Sequence, residues 1–212
     1  MYKIGFIGMG NMASALMTGI VKSGYLKAEE ICGADISEQA CMNAKKRGHM
    51  VFENNHEVIK HSNLVIIAVK PQVLEGVIGE VHDDLKNKAV MSIALGYDFE
   101  KYEKLLDAST RHLTIMPNTP VEVCEGMLLL EAKHSLKEDE YQFIVDMLNH
   151  IGSTEVLPSH LMNVGGYSFS IIQQNYSLVL SSDIKRSSSG WKYSSILPTA
   201  PWRCLATSSS VI

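Results

Sequence analysis

Short apolar runs alternate along this chain with longer stretches in which apolar residues return every three or four positions. Tyr2–Ile7, Glu30–Ala34, Met50–Phe52, Asn63–Val69, Ala89–Ile93, His112–Met116 and Ser153–Val156 have the length and composition of strands. "NLVIIAV" at Asn63–Val69 is apolar throughout, as expected of a central parallel strand covered on both faces. Between these runs lie helical patterns: Met12–Lys22 ending near Ser23-Gly24, a segment from the N-cap Ser37 to Arg47 with Gly48 as its stop, Val73–Val81, Asp98–Leu106 and Lys137–His150. Strand and helix in this alternation predict an α/β chain, doubly wound around a mostly parallel sheet.

The alternation ends before the chain does. From Tyr167 to Ile212 there are 13 serines, four basic residues and a single acidic one, Asp183, and no amphipathic period survives. The residues before Tyr167 hold 22 of the 23 acids and 15 of the 19 bases. This shift predicts a folded domain over 1–160 and a short irregular tail over 161–212. The formal net charge is −4 with no basic run, which argues against a nucleic-acid partner. Cys32, Cys41, Cys124 and Cys204 lack metal-site spacing, and the eight histidines are dispersed, so no metal is expected. The scattered thiols fit a reducing cytoplasm. No leader-like segment and no apolar run of membrane-spanning length is read, so no membrane partner is expected either.

The first strand runs directly into "GFIGMGNMASAL" (Gly5–Leu16). Here Gly8-x-Gly10-x-x-Ala13 follows a strand and opens a helix, the context of a Rossmann-like dinucleotide turn. Gly8 permits the tight turn, Gly10 lets a pyrophosphate approach the backbone, and Ala13 lets the helix lie close to the sheet. Ile7, Met9, Asn11 and Met12 complete the stretch, with helix-start amides pointing at an anion. The competing reading is a glycine turn without a ligand. Asp35, 25 residues past Gly10, stands where a carboxylate would accept from a ribose 2′-hydroxyl and favour NAD, or else it is a turn residue before the Ser37 cap. Ser37, Lys45, Lys46 and Arg47 are close to it in sequence and could answer a 2′-phosphate, so the choice between NAD and NADP stays open.

Three further stretches fall just past strands, on the edge of a doubly wound sheet where ligands sit: "IIAVKPQ" (Ile66–Gln72), "SIALG" (Ser92–Gly96) and "MPNTPVEVCEGM" (Met116–Met127). Taken with the glycine turn, these four ordered motifs resemble the pyrroline-5-carboxylate reductases over Tyr2 to about Gly166. Hydroxyacid dehydrogenases and cofactor-reducing oxidoreductases share the fingerprint but lack the "VKPQ" and "MPNTP" pair. The resemblance implies that Gly8–Ala13 hold the pyrophosphate and that Asn55 lies on the adenosine side. It implies that Ala68, Val69, Lys70 and Pro71, with Ile93, Ala94 and Leu95, line the nicotinamide half. Asn118, Thr119 and Pro120 would form the substrate-side loop. A solvated charge remains the plain reading of Lys70, and a rigid turn that of the Pro117/Pro120 pair.

The implied reaction is hydride transfer from NAD(P)H to a cyclic imine, giving L-proline. Such an enzyme must mainly align two carbons and hold a carboxylate, so no catalytic acid or base is assigned. The family is homo-oligomeric through a helical domain that opens on a "GSGPA"-like stretch. Here "LPSHLMNVGG" approaches that point, Ser159 stands where the family often has an acid, and the pattern is lost at Tyr167. The expectation is an out-of-frame tail in place of the dimer domain, with a divergent genuine segment as the rival. Another reading frame carrying a G-x-G-P-A stretch past Gly166 would decide between them. Two other functions compete: a different small NAD(P)-dependent oxidoreductase, and a dinucleotide-binding module without catalysis.

Overall fold

The computed structural model describes residues 1–162, and the expectations for the segment beyond them, its irregular character and the lost dimer domain included, lie outside the described residues. Eight strands form one sheet: β1 (Tyr2–Ile7), β2 (Ile31–Ala34), β3 (Met50–Val51), β4 (Ser62–Ile67), β5 (Ala89–Ser92), β6 (Arg111–Met116), β7 (Gly126–Glu131) and β8 (Gly152–Leu157). Their spatial order is β3-β2-β1-β4-β5-β6-β7-β8. The first six are mutually parallel, β7 is antiparallel to β6, and β8 is parallel to β7. Six helices connect them: α1 (Asn11–Lys22), α2 (Glu38–Lys46), α3 (Asn55–His61), α4 (Pro71–Val81), α5 (Phe99–Leu105) and α6 (Glu138–Asn149).

Each central strand feeds two cores, which is why it reads as continuously apolar. Ile4, Phe6, Leu64, Ile66 and Met91 pack with Leu16, Met17 and Ile20 of α1 and Ile144, Met147 and Leu148 of α6. Ile7, Val65, Ile67 and Val90 face the other way, against Val58 and Ile59 of α3, Leu74 and Ile78 of α4 and Tyr102 of α5. Helix starts follow their expected caps: Ser37 Oγ accepts from Ala40 N (3.3 Å) and Asp98 Oδ1 from Lys101 N (3.1 Å).

Two elements escape the sequence pattern. α3 is seven residues long with only Val58 and Ile59 buried, too short for a visible period, and it starts on Asn54, whose Oδ1 accepts from Glu57 N (2.9 Å). β7, "GMLLLE", lies directly behind the proline-rich loop. The nine residues joining β6 to β7 contain one 3₁₀ turn (Thr119–Val123) and no room for a crossover helix, so the chain doubles back antiparallel. No helix among the described residues is long and apolar enough to cross a membrane.

Candidate functional site

The strand order reverses between β1 and β4, and the crevice beyond their carboxyl ends is the place where an open α/β sheet takes a ligand. Hydrogen bonds fasten three strand ends there. Gly8 N donates to Ala34 O (2.9 Å) past β2, Ala68 N to Ile7 O (2.8 Å), and Ile93 N to Ile67 O (3.1 Å). Gly8 has φ +88°, and a Cβ on it would lie 2.9 Å from Ala68 O and 3.0 Å from Val69 Cγ1. Conformation and space both demand glycine. At Gly10 the surroundings are opposite: a Cβ would meet nothing within 4 Å. Gly10 is also the N-cap of α1 and has no side chain to bond the first amides of the helix. The result is an open cradle floored by backbone N–H groups, which fits an anionic group such as a pyrophosphate.

The side chains of this stretch divide in use. Ile7, Met9 and Ala13 are buried in the core, so only their backbone can face a ligand. Gly33 makes room for Met9, whose Sδ would lie 2.8 Å from a Cβ there. Asn11 is exposed and Met12 half-buried at the start of α1. Asp35, just past β2, is tied inward: Oδ2 accepts from Met9 N (2.5 Å) and Oδ1 from Ser37 N (2.8 Å). It therefore both clasps the glycine turn and caps the approach to α2. Asn55 is half-buried at the first position of α3, on the same edge past β3.

The basic residues weighed as a phosphate site are dispersed by the helix. At 1.5 Å per residue, α2 carries Lys45 and Lys46 roughly 12–14 Å from Ser37. Arg47 folds back onto α1, where its Nη1 donates to Ser14 Oγ and to Thr18 Oγ1 (3.3 Å). Closeness in sequence is not closeness to Asp35 for the two lysines.

Across the crevice, Ala68 and Val69 are half-buried, Lys70 is exposed as the N-cap of α4, and Pro71 occupies its first turn, where the missing N–H costs nothing. Ala94 is buried with its N donating to Ser92 Oγ (3.2 Å), while Leu95 is 43% exposed on the rim. Beyond β6, Asn118 Oδ1 accepts from Met127 N (2.9 Å), holding the loop that carries Thr119 and Pro120. That loop lies against α1: a Cβ on Gly19 would fall 2.0 Å from Val121 O. All four sequence motifs thus reach one edge of the sheet.

Sequence reading missed a buried polar row one layer beneath that edge. Ser92 of β5 pairs in register with Thr114 of β6, and the β6–β7 register, continued by one residue, sets Glu131 opposite Thr114. Ser92, Thr114 and Glu131 are 2%, 5% and 0% exposed. Ser92 Oγ shares a hydrogen bond with Tyr102 Oη, and both Glu131 oxygens accept from Phe99 N (3.1 and 3.0 Å) at the start of α5. His112, stacked on Phe99 (4.4 Å between centroids), is held below the usual histidine pKa by burial, against the pull of Glu103 at 2.9 Å. The only trace of this row in the sequence is an acid closing an apolar run. Among the described residues no cluster of His, Cys, Asp or Glu could hold a metal ion.

Sheet, switch point and glycine turn define the dinucleotide-binding class of α/β oxidoreductase domains. Comparison with known proteins narrows this. The family model described as NADP oxidoreductase, coenzyme F420-dependent, matches residues 3–96. Pyrroline-5-carboxylate reductase 3 of Danio rerio is 36% identical over 157 residues, covering 74% of this chain and 54% of the relative. Pyrroline-5-carboxylate reductase of Pasteurella multocida is 36% identical over 154 residues, covering 70% and 56%. A crystal structure of the Plasmodium falciparum pyrroline carboxylate reductase with NADP bound has the same fold, with a TM-score of 0.77, 24% identity, and coverage of 89% and 71%. The chain is thus similar to pyrroline-5-carboxylate reductases, and it spans about half the length of the curated relatives it matches.

Proposed function

We propose that this chain acts as a pyrroline-5-carboxylate reductase, transferring a hydride from NAD(P)H to the imine carbon of 1-pyrroline-5-carboxylate to give L-proline. The observation that carries the reading is the open cradle at Gly10, set at the switch point beside Ala68–Pro71. A bound nicotinamide supplies the hydride. The chain's own groups bind and orient. Gly8, Met9, Gly10, Asn11, Met12 and Ala13 offer the backbone of the α1 start to the pyrophosphate. Asp35 and Asn55 flank the adenosine side. Ala68, Val69, Lys70 and Pro71, facing Ile93, Ala94 and Leu95, frame the reacting ring. Asn118, Thr119 and Pro120 border the substrate. A protonated imine is already electrophilic, so alignment of donor and acceptor is the main task.

The ligand in this reading is a small molecule, with no membrane or nucleic-acid partner. A cytoplasmic setting agrees with the free thiols of Cys32, Cys41 and Cys124. The purified chain should quench or shift NADH or NADPH fluorescence, and should oxidise one of them when pyrroline-5-carboxylate is added. The ratio of the two affinities settles the cofactor. Binding without turnover would favour the non-catalytic dinucleotide module, and turnover confined to another imine or a hydroxyacid would favour a different oxidoreductase. Binding of neither cofactor would overturn the reading.

A further inference from the structure

Thr114 carries a buried hydroxyl that the proposed reaction does not use. Its Oγ1 has no hydrogen-bond partner among the described residues, although the residue is only 5% exposed. An unsatisfied buried hydroxyl is costly enough to call for an explanation. Thr114 also lines a cavity of about 10 Å³ at the carboxyl ends of β5 and β6, together with the 94–98 loop, Ile115, Met116 and Met162. That is the room of a single water. The backbone N–H groups of Leu95, Gly96 and Asp98 reach no acceptor among the described residues, whereas the flanking Ala94 and Phe99 amides are taken by Ser92 and Glu131.

We propose that this cavity binds one ordered water, which exchanges a hydrogen bond with Thr114 Oγ1 and accepts from the unpaired amides of the 95–98 loop. The water joins a rigid strand to the middle of that loop, and Thr114 is thereby a positioning residue for it. Two side-chain contacts already draw the loop outward: Tyr97 Oη donates to Glu75 of α4 (3.0 Å), and Lys101 Nζ to Gly96 O. The water is the inward tie. Its effect on cofactor rests on the proposed function, because Ile93–Leu95 would face the nicotinamide; the water site itself does not.

The test compares the full wild-type chain with Thr114→Val, which keeps the shape and removes the hydroxyl, and Thr114→Ser, which keeps the hydroxyl. A crystal structure fine enough to show waters should place one within about 2.6–3.2 Å of Thr114 Oγ1, present in T114S and lost in T114V. Amide hydrogen exchange at Gly96 and Asp98 should quicken about tenfold in T114V, the equivalent of one lost hydrogen bond, and return to the wild-type rate in T114S. A dry cavity in the wild-type protein overturns the proposal, as does unchanged exchange in T114V. If the wild type binds neither NADH nor NADPH, the proposed function fails while these two results still decide the water site. If it binds, T114V should raise the cofactor Kd a few-fold, with rescue by T114S.

Discussion

The two ends of the same sheet are finished in opposite ways. Where the parallel strands begin, charged side chains close the surface. Arg111 of β6 donates through Nε and Nη2 to Glu140 of α6 (2.7–3.1 Å), Lys88 Nζ donates to Ser62 O (3.0 Å), and Lys86 meets Asp83 (2.8 Å). Where the strands end, backbone hydrogen bonds and a few carboxylate, amide and hydroxyl acceptors hold the turns, helix starts lack side-chain caps at Gly10 and Lys70, and Leu95 and Val73 stay exposed. One end is closed by its own side chains. The other leaves helix-start amides and apolar surface open. Stability and binding should therefore separate along the strand direction.

The sharpest way to break that contrast is at Gly8. Gly8→Val forces a β-branched residue into positive φ against the Ala68 carbonyl, and should weaken dinucleotide binding by about 3 kcal/mol, roughly a hundredfold. Fluorescence titration with NADH and NADPH measures it. At the opposite end, Arg111→Ala should remove about 2 kcal/mol of unfolding free energy in urea, the worth of a charged hydrogen-bonded pair about one-fifth exposed. Its cofactor affinity should match wild type; a large loss of affinity would contradict the separation.

Acid should act on the closed end and on the buried face beside it. Burial holds His112 and His49 below the usual histidine pKa, so both favour the neutral form when folded. A lowered folded value means that their contribution is complete above pH 6.5, the unfolded value, and is lost as pH falls from there through the folded one. Burial raises the Glu140 carboxyl, but Arg111 and the Lys137 amide outweigh it and bring the pKa below the ordinary one. That contribution is present above the unfolded carboxylate range and is lost as pH falls through the depressed value. Chemical denaturation at a series of pH values should show two successive declines, and His112→Phe should flatten the upper one, leaving the part due to His49. The smallest effect belongs to Asn54→Ala, which deletes the α3 cap and should cost about 1 kcal/mol in thermal unfolding without moving the pH profile.

How much of this was legible follows from where information sits in a chain. β1, β4 and β5 announce themselves because a strand buried on both faces is apolar at every position. The glycine turn is legible because Gly8 and Gly10 are backbone requirements that only one residue type meets. α3 and β7 are not, being short and half polar or hidden behind a proline loop. The direction of β7 depends on the length of a connection rather than on its own residues. Within the site, positions were readable and partners were not. Asp35 stands where the fingerprint expects an acid, yet its nearest donor is the Met9 amide, 26 residues earlier. Lys45 and Lys46 look adjacent to it until a helix carries them away. Thr114 and Glu131 meet only because two strands pair, which no local pattern encodes.

The double duty of Asp35 has a consequence for anyone who wishes to redesign this domain. The carboxylate proposed to discriminate between a ribose hydroxyl and a ribose phosphate is the same group that buttons the glycine turn shut through Met9 N. Exchanging it for a neutral or basic residue to alter cofactor preference would unfasten the cradle while changing its taste. A successful conversion has to install a second acceptor for that amide, for instance a hydroxyl or amide oxygen at the same reach, before the charge is reversed. On the proposed reading, selectivity and order are written in one side chain, and they would have to be rewritten in two.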